Sequence, residues 1–174
     1  MYVFGGAFNP PHLGHVTIAR TLKTISKLGG VIVCPSECHK WNKNLLPIDD
    51  RITLWNHICP DIPASDIEKR NTSGRTFDLL EMIDNKNIVL VVGADQANKL
   101  NRWYRGNELI KKYKILCITR DNEPCNGFET LNIDIPESST NIRNSIKQNT
   151  FNVPNEWNND KCLQILKKYC DILI

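Results

Sequence analysis

Gly5-Gly6-Ala7-Phe8-Asn9-Pro10-Pro11-His12-Leu13-Gly14-His15 follows directly on a short apolar run at residues 2–4. That run reads as a buried strand. Beyond it Val16, Ala19, Leu22 and Ile25 fall near one face, which predicts a helix from residue 12 to about residue 28, stopped by Gly29-Gly30. The quoted stretch is therefore a strand-to-helix junction. Gly5 and Gly6 carry no Cβ, so backbone there can approach a phosphate closely. The helix start that follows offers free N–H groups and a partial positive charge, a ready anion site. His12 and His15 are three apart and project from one side of the first turn, with Gly14 leaving room beside them. Two imidazoles at such a terminus can donate hydrogen bonds to oxygens that gain charge during phosphoryl chemistry. A glycine pair or a His-x-x-His alone is weak; the combination at such a junction is specific.

Outward from this junction, strands alternate with helices. Residues 31–34 form a β-branched strand ended by Pro35, and a polar loop at 36–47 leads to a helix at about 49–59. Residues 65–68 read as a short strand and about 76–84 as a helix. Residues 88–92, Val-rich and followed by Gly93, give the clearest strand. Short helical stretches are expected at about 95–104 and 108–112, strands at 114–119 and 130–135, and helices at 139–148 and about 155–170. In the last of these, Cys162, Leu166, Tyr169 and Leu173 share one stripe. The strands are continuous apolar runs, the mark of strands buried on both faces. The expected fold class is α/β: one doubly wound, mostly parallel sheet with helices on both faces, in a single domain over residues 1–174. Ligands of such sheets sit beyond the carboxyl ends of the strands.

Composition narrows the function classes. The chain has 174 residues, 41% hydrophobic and 24% charged, which excludes disorder. A net charge of +3, with 22 basic residues interleaved among 19 acidic ones, gives no basic stripe for nucleic acid. No stretch reaches the roughly 18 apolar residues of a membrane helix, and the amino terminus lacks a signal-peptide pattern. Seven scattered cysteines then read as reduced thiols of a cytoplasmic protein. Cys34, Cys38 and His39 lie close together, but no second pair at zinc spacing accompanies them, so no metal ligand is assigned.

Further motifs fall at other junctions. Glu137-Ser138-Ser139-Thr140-Asn141-Ile142-Arg143 opens the penultimate helix; hydroxyls there cap N–H groups, and Arg143 lies one turn in. Val92-Gly93-Ala94-Asp95 ends the clearest strand, and Trp103 follows eight residues after Asp95. Cys38-His39-Lys40 and Arg75-Thr76-Phe77-Asp78-Leu79-Leu80 complete the set.

The first segment resembles the Gly-Gly-x-Phe-(Asp/Asn)-Pro-x-His-x-Gly-His signature of the nucleotidyltransferase superfamily. Ser138 to Arg143 looks like the Ser-Ser-Thr-x-Ile-Arg motif of its bacterial-type nicotinate (nicotinamide) mononucleotide adenylyltransferase branch. The resemblance spans nearly the whole chain. It implies transfer of AMP from ATP to nicotinate mononucleotide by direct attack on the α-phosphorus, giving deamido-NAD and pyrophosphate, with Mg²⁺ carried on the ATP phosphates. It implies catalytic roles for His12, His15 and Arg143, and ATP contacts from Gly5, Gly6, Phe8, Gly93, Asp95, Ser138, Ser139 and Thr140. The mononucleotide would meet Asn9, Lys40, Thr76 and Trp103, the tryptophan stacking on the pyridine ring. Small molecules are the implied partners, with no nucleic acid or membrane, for a monomer or homodimer. Arg75 departs from the pattern, standing where tyrosine is usual, and Gly74 where serine is usual. The rival readings are a nicotinamide-preferring or dual-specificity enzyme, a pantetheine-phosphate or other nucleotidyltransferase, and a non-catalytic nucleotide-binding module.

Overall fold

The computed structural model describes residues 1–26, 29–37, 45–119, 125, 127–150 and 152–172. Five strands, β1 (Tyr2–Gly6), β2 (Val31–Pro35), β3 (Val89–Gly93), β4 (Lys114–Thr119) and β5 (Glu129–Asn132), form one sheet in the order β2-β1-β3-β4-β5. Every pairing is parallel, with Phe4 opposite both Val33 and Val91, and Val92 opposite Cys117. The helices are α1 (Leu13–Ile25), α2 (Ile48–Ile58), α3 (Thr76–Met82), α4 (Ala94–Ala97), α5 (Gly106–Lys112), α6 (Ser139–Lys147) and α7 (Asp160–Ile172).

Side chains alternate across a strand, so each strand feeds two cores. Phe4, Val33, Val91, Leu116 and Ile118 pack with α1, α2, α6 and α7. Val3, Cys34, Leu90, Val92, Ile115 and Cys117 pack with α3, α4 and α5. The α/β fold with a parallel sheet covered on both faces is thus as the apolar runs predict. No helix among the described residues is long and apolar enough to cross a membrane.

Four local expectations are corrected. Residues 65–68 do not form a strand. A single bridge joins Ala64 to Val33, and a 3-10 turn then occupies Ile67–Arg70. The Ser65 hydroxyl accepts the N–H of Ile67, and the carbonyl of Asp66 takes that of Lys69, so local turn bonds replace a ladder. The last helix starts later than residue 155: a 3-10 turn at Asn155–Trp157 comes first, and the Asn159 side chain then caps α7 by accepting the N–H of Cys162. Helix α1 ends at Ile25, where Ser26 turns extended and its hydroxyl accepts the N–H of Gly29.

The fourth concerns the thiols. Cys117 and Cys125 are joined as a disulfide, their Cα atoms 6.7 Å apart, both against the core on the α3–α5 face. Cys34, Cys59 and Cys162 are buried free thiols and Cys170 is half-buried. Burial pushes the Cys34 thiol up to about 12, which keeps it protonated and inert. Cys38, His39 and Lys40 lie outside the described residues.

Candidate active site

The strand order sets where a ligand can enter. From β1 the chain passes through α1 to β2 on one side; from β3 it passes through α4 and α5 to β4 on the other. The connections part between β1 and β3, opening a crevice at their carboxyl ends. The two loops that flank it are Gly5–His15 and Gly93–Asp95, the motifs read from the sequence.

The first loop is held rigidly. Phe8 adopts φ of 46°, a left-handed conformation that a bulky residue takes only when its surroundings impose it. Its ring, 2% exposed, packs edge-on against Phe4, Trp55 and His15, with centroids 5.2, 5.3 and 4.8 Å away. Phe8 therefore props His15 from below, and what it can present to ATP is backbone. A Cβ on Gly6 would stand 3.3 Å from that ring, so the glycine makes room for the prop. Gly5 is exposed at the mouth of the crevice.

Asn9, expected to meet the mononucleotide, has its side-chain oxygen turned inward. Oδ1 accepts the N–H of Leu46 at 3.1 Å and the hydroxyl of Tyr169 at 2.6 Å. Burial raises the Tyr169 hydroxyl well above its ordinary pKa, so it remains a neutral donor. Asn9 thus joins the first loop to α7.

The histidines meet as their spacing predicts. Their rings lie 3.6 Å apart, and the Nδ1 of His15 accepts the backbone N–H of His12 at 3.2 Å. An accepting Nδ1 places the proton of the neutral ring on Nε2. His15, half-buried, is therefore set to donate from Nε2, whereas His12 is almost wholly enclosed.

The Ser-Ser-Thr-x-Ile-Arg segment folds back onto this loop across more than 120 residues. Ser138 caps α6 by accepting the N–H of Asn141. The Ser139 hydroxyl donates to the carbonyl of Pro10 at 2.8 Å. Arg143 donates to the carbonyl of Asn9 at 2.7 Å and to the Thr140 hydroxyl at 3.1 Å. A Cβ at Gly14 would come within 2.0 Å of the Ile135 side chain, so only glycine lets the segment before α6 lie on the start of α1. The two motifs are one structure.

Arg51 belongs to the same framework and carries no local signal in the sequence. Fully buried in α2, it donates Nε to Leu46, Nη1 to Ala7 and Nη2 to Ser36, all backbone carbonyls, at 2.7–2.8 Å. It ties the first loop to the end of β2 and to the chain entering α2. Burial lowers its pKa, yet an arginine keeps its proton.

On the other side of the crevice, Gly93 ends β3 and Asp95 is exposed in the first turn of α4, its carboxylate accepting from Gln96. Trp103 is half-buried against the α3–α5 core, leaving part of the indole to solvent. Thr76 opens α3 and is also half-buried. A recess of about 630 Å³ lies at the opposite end of the sheet, around Tyr2, Val89 and Lys114, and holds none of these residues. A second, of about 570 Å³, opens beside His12 between Glu137, Asn141 and Pro154.

A probable nicotinate-nucleotide adenylyltransferase of Carboxydothermus hydrogenoformans is 33% identical over 129 residues, 68% of this chain but 63% of that protein's own length. A protein of the same name from Sulfurimonas denitrificans is 32% identical over 155 residues, 83% of this chain and 84% of the other. Among solved structures, the Plasmodium falciparum nicotinic acid mononucleotide adenylyltransferase complexed with NaAD superposes with a TM-score of 0.70. That match covers 99% of this chain and 93% of the other at 19% identity, a likeness of fold. The model of the cytidylyltransferase-like family matches residues 3–145, which takes in both histidines and Arg143, and the chain belongs to that family.

Proposed function

We infer that this chain transfers AMP from ATP to nicotinate mononucleotide, releasing pyrophosphate and forming deamido-NAD. The observation that carries it is the locking of the Gly5–His15 loop to the start of α6 at the switch point of the sheet, which gathers His12, His15 and Arg143. The relatives' names support the choice of substrates.

The mononucleotide 5′-phosphate attacks the α-phosphorus of ATP; one P–O bond forms, and the bond to pyrophosphate breaks on the opposite side. The attacking phosphate is already ionised near neutral pH, so no side chain is needed as a base. What the protein supplies is position and positive field. Nε2–H of His15 donates to a non-bridging α-phosphate oxygen as its charge rises, and Arg143 at the start of α6 faces the departing phosphates. Gly5 and Gly6 let those oxygens approach the end of β1. Asp95 is placed to accept a ribose hydroxyl, and Trp103 offers a flat face to the pyridine ring.

Mg²⁺ carried on the triphosphate would neutralise part of the phosphate charge. The first loop and the start of α6 present imidazole, hydroxyl and guanidinium groups, whose chemistry suits phosphate oxygens.

The test is one assay: purified chain with ATP and Mg²⁺, each mononucleotide in turn, and pyrophosphate and dinucleotide measured together. Stoichiometric deamido-NAD and pyrophosphate is the expected result; ATP binding without pyrophosphate release makes the chain a nucleotide-binding module instead.

A further inference from the structure

Resting on the mononucleotide adenylyltransferase reading, we propose that Arg75 selects nicotinate over nicotinamide mononucleotide, its guanidinium edge receiving the pyridine carboxylate beside Trp103. The two substrates have nearly the same shape. They differ in that one ring bears a carboxylate and the other a neutral carboxamide, so charge and donor pattern must separate them.

Arg75 is placed for this on three counts. Its guanidinium carbon lies 3.9 Å from the centre of the Tyr104 ring, and Tyr104 is the chain neighbour of Trp103, the indole expected to carry the pyridine. Stacking occupies the flat face of a guanidinium, but its N–H donors point outward in the plane and stay available at the edge. The backbone beneath is fixed: the Arg75 N–H donates to Ser73 Oγ, and the Arg75 carbonyl accepts from Asn71, whose same amide nitrogen donates to buried Glu68.

The third count is what Arg75 does not do. Arg20 pairs with Asp61 and Arg105 with Glu108; Arg51 is bound to backbone carbonyls, and Arg143 to the Asn9 carbonyl and the Thr140 hydroxyl. Among the described residues neither an ion pair nor a hydrogen bond engages the Arg75 guanidinium, and Asp78, three residues on, leaves it alone. A half-buried cation is thus held by a ring with its edge open. A carboxylate can take that edge with both oxygens. A carboxamide offers one acceptor, and its NH₂ meets donors with donors.

The experiment compares kcat/KM for the two mononucleotides in wild type, Arg75→Gln and Arg75→Lys, with ATP kinetics alongside. Arg75→Gln should lower the nicotinate-to-nicotinamide ratio by about tenfold to a hundredfold, since it replaces a charge-assisted pair with a neutral one. The loss should fall on KM for nicotinate mononucleotide, with KM for ATP unchanged. Arg75→Lys, which keeps the charge but not the planar fork, should lie between. Tyr104→Leu, an exposed site, should lower the ratio in the same direction by releasing the stacked guanidinium. An unchanged ratio in Arg75→Gln, in an enzyme that still makes deamido-NAD, overturns the proposal and leaves the reaction standing. A wild type that adenylates neither mononucleotide overturns the reaction, and the proposal with it.

Discussion

At the scale of single residues, the site depends on a few fixed atoms rather than on many contacts. His15 is oriented by two neighbours, the Phe8 ring against it and the His12 N–H on its Nδ1. Neither needs substrate, so the donor is in place before ATP arrives. His15→Ala should therefore leave the far-ultraviolet spectrum and Tm close to wild type while lowering kcat by orders of magnitude; wild-type turnover in that variant would remove His15 from the chemistry. Arg143→Ala should raise KM for ATP more than KM for the mononucleotide, because its partners are the first loop and the Thr140 hydroxyl. A steady-state titration of each substrate separates the two, and a loss confined to the mononucleotide would contradict the assignment. The histidine spacing and the serine–threonine cap were readable in the sequence because they act within one turn. Arg51 was not, for a physical reason: its partners are carbonyls of residues 7, 36 and 46, and in a helix sequence an arginine reads as a solvent-facing charge. Asn9 has a structural part that the motif does not reveal. Its place in the motif suggests a ligand contact, and its Oδ1 also accepts from Leu46 and Tyr169, partners far off in the sequence.

At the scale of elements, the parallel strands were legible because burial on both faces leaves no polar alternation to confuse them. The order of the strands, and with it the position of the crevice, comes from packing between segments far apart. The contact between Gly14 and Ile135 shows how tightly two such segments are coupled. Gly14→Ala should cost about 1–3 kcal/mol of stability through overpacking, and should also weaken ATP, since the start of α1 and the leader of α6 are pushed apart. Ile135→Ala in the same chain should recover part of the ATP affinity, although it opens a cavity of its own. Isothermal titration with ATP on the single and double variants checks this; additive losses would mean that the two residues do not meet. The short strand expected at residues 65–68 failed for a related reason. Apolar residues flank it, but Ser65 and Asp66 satisfy the next N–H groups locally and leave one bridge where a ladder would need several.

At the scale of the whole molecule, a buried acid links stability to pH. Glu68 is 7% exposed, and burial raises its pKa above the ordinary 4.5 despite the hydrogen bond from Asn71. In the unfolded chain it ionises near 4.5; in the folded chain it does so at higher pH. The stability it contributes is therefore present in full below about pH 4.5 and is lost as pH rises through the folded-state value. Glu68→Gln keeps an acceptor for Asn71 without the charge. That variant should be more stable than wild type at pH 7–8, with the difference shrinking toward pH 4.5 in urea titrations at several pH values. A difference that grows on acidification would reverse the sign.

The bond between Tyr169 and Asn9 has a consequence in time as well as in space. The two residues are 160 positions apart, so the loop that opens the chain waits for the last helix before its floor is complete. At about 5–20 residues per second of synthesis, that wait is roughly 8 to 30 s. Throughout it the histidine loop exists on the ribosome without the hydroxyl that holds Asn9. Tyr169→Phe, which deletes that hydroxyl from the finished chain, should therefore loosen the loop and weaken ATP in a titration; unchanged ATP affinity would mean that Leu46 alone holds Asn9.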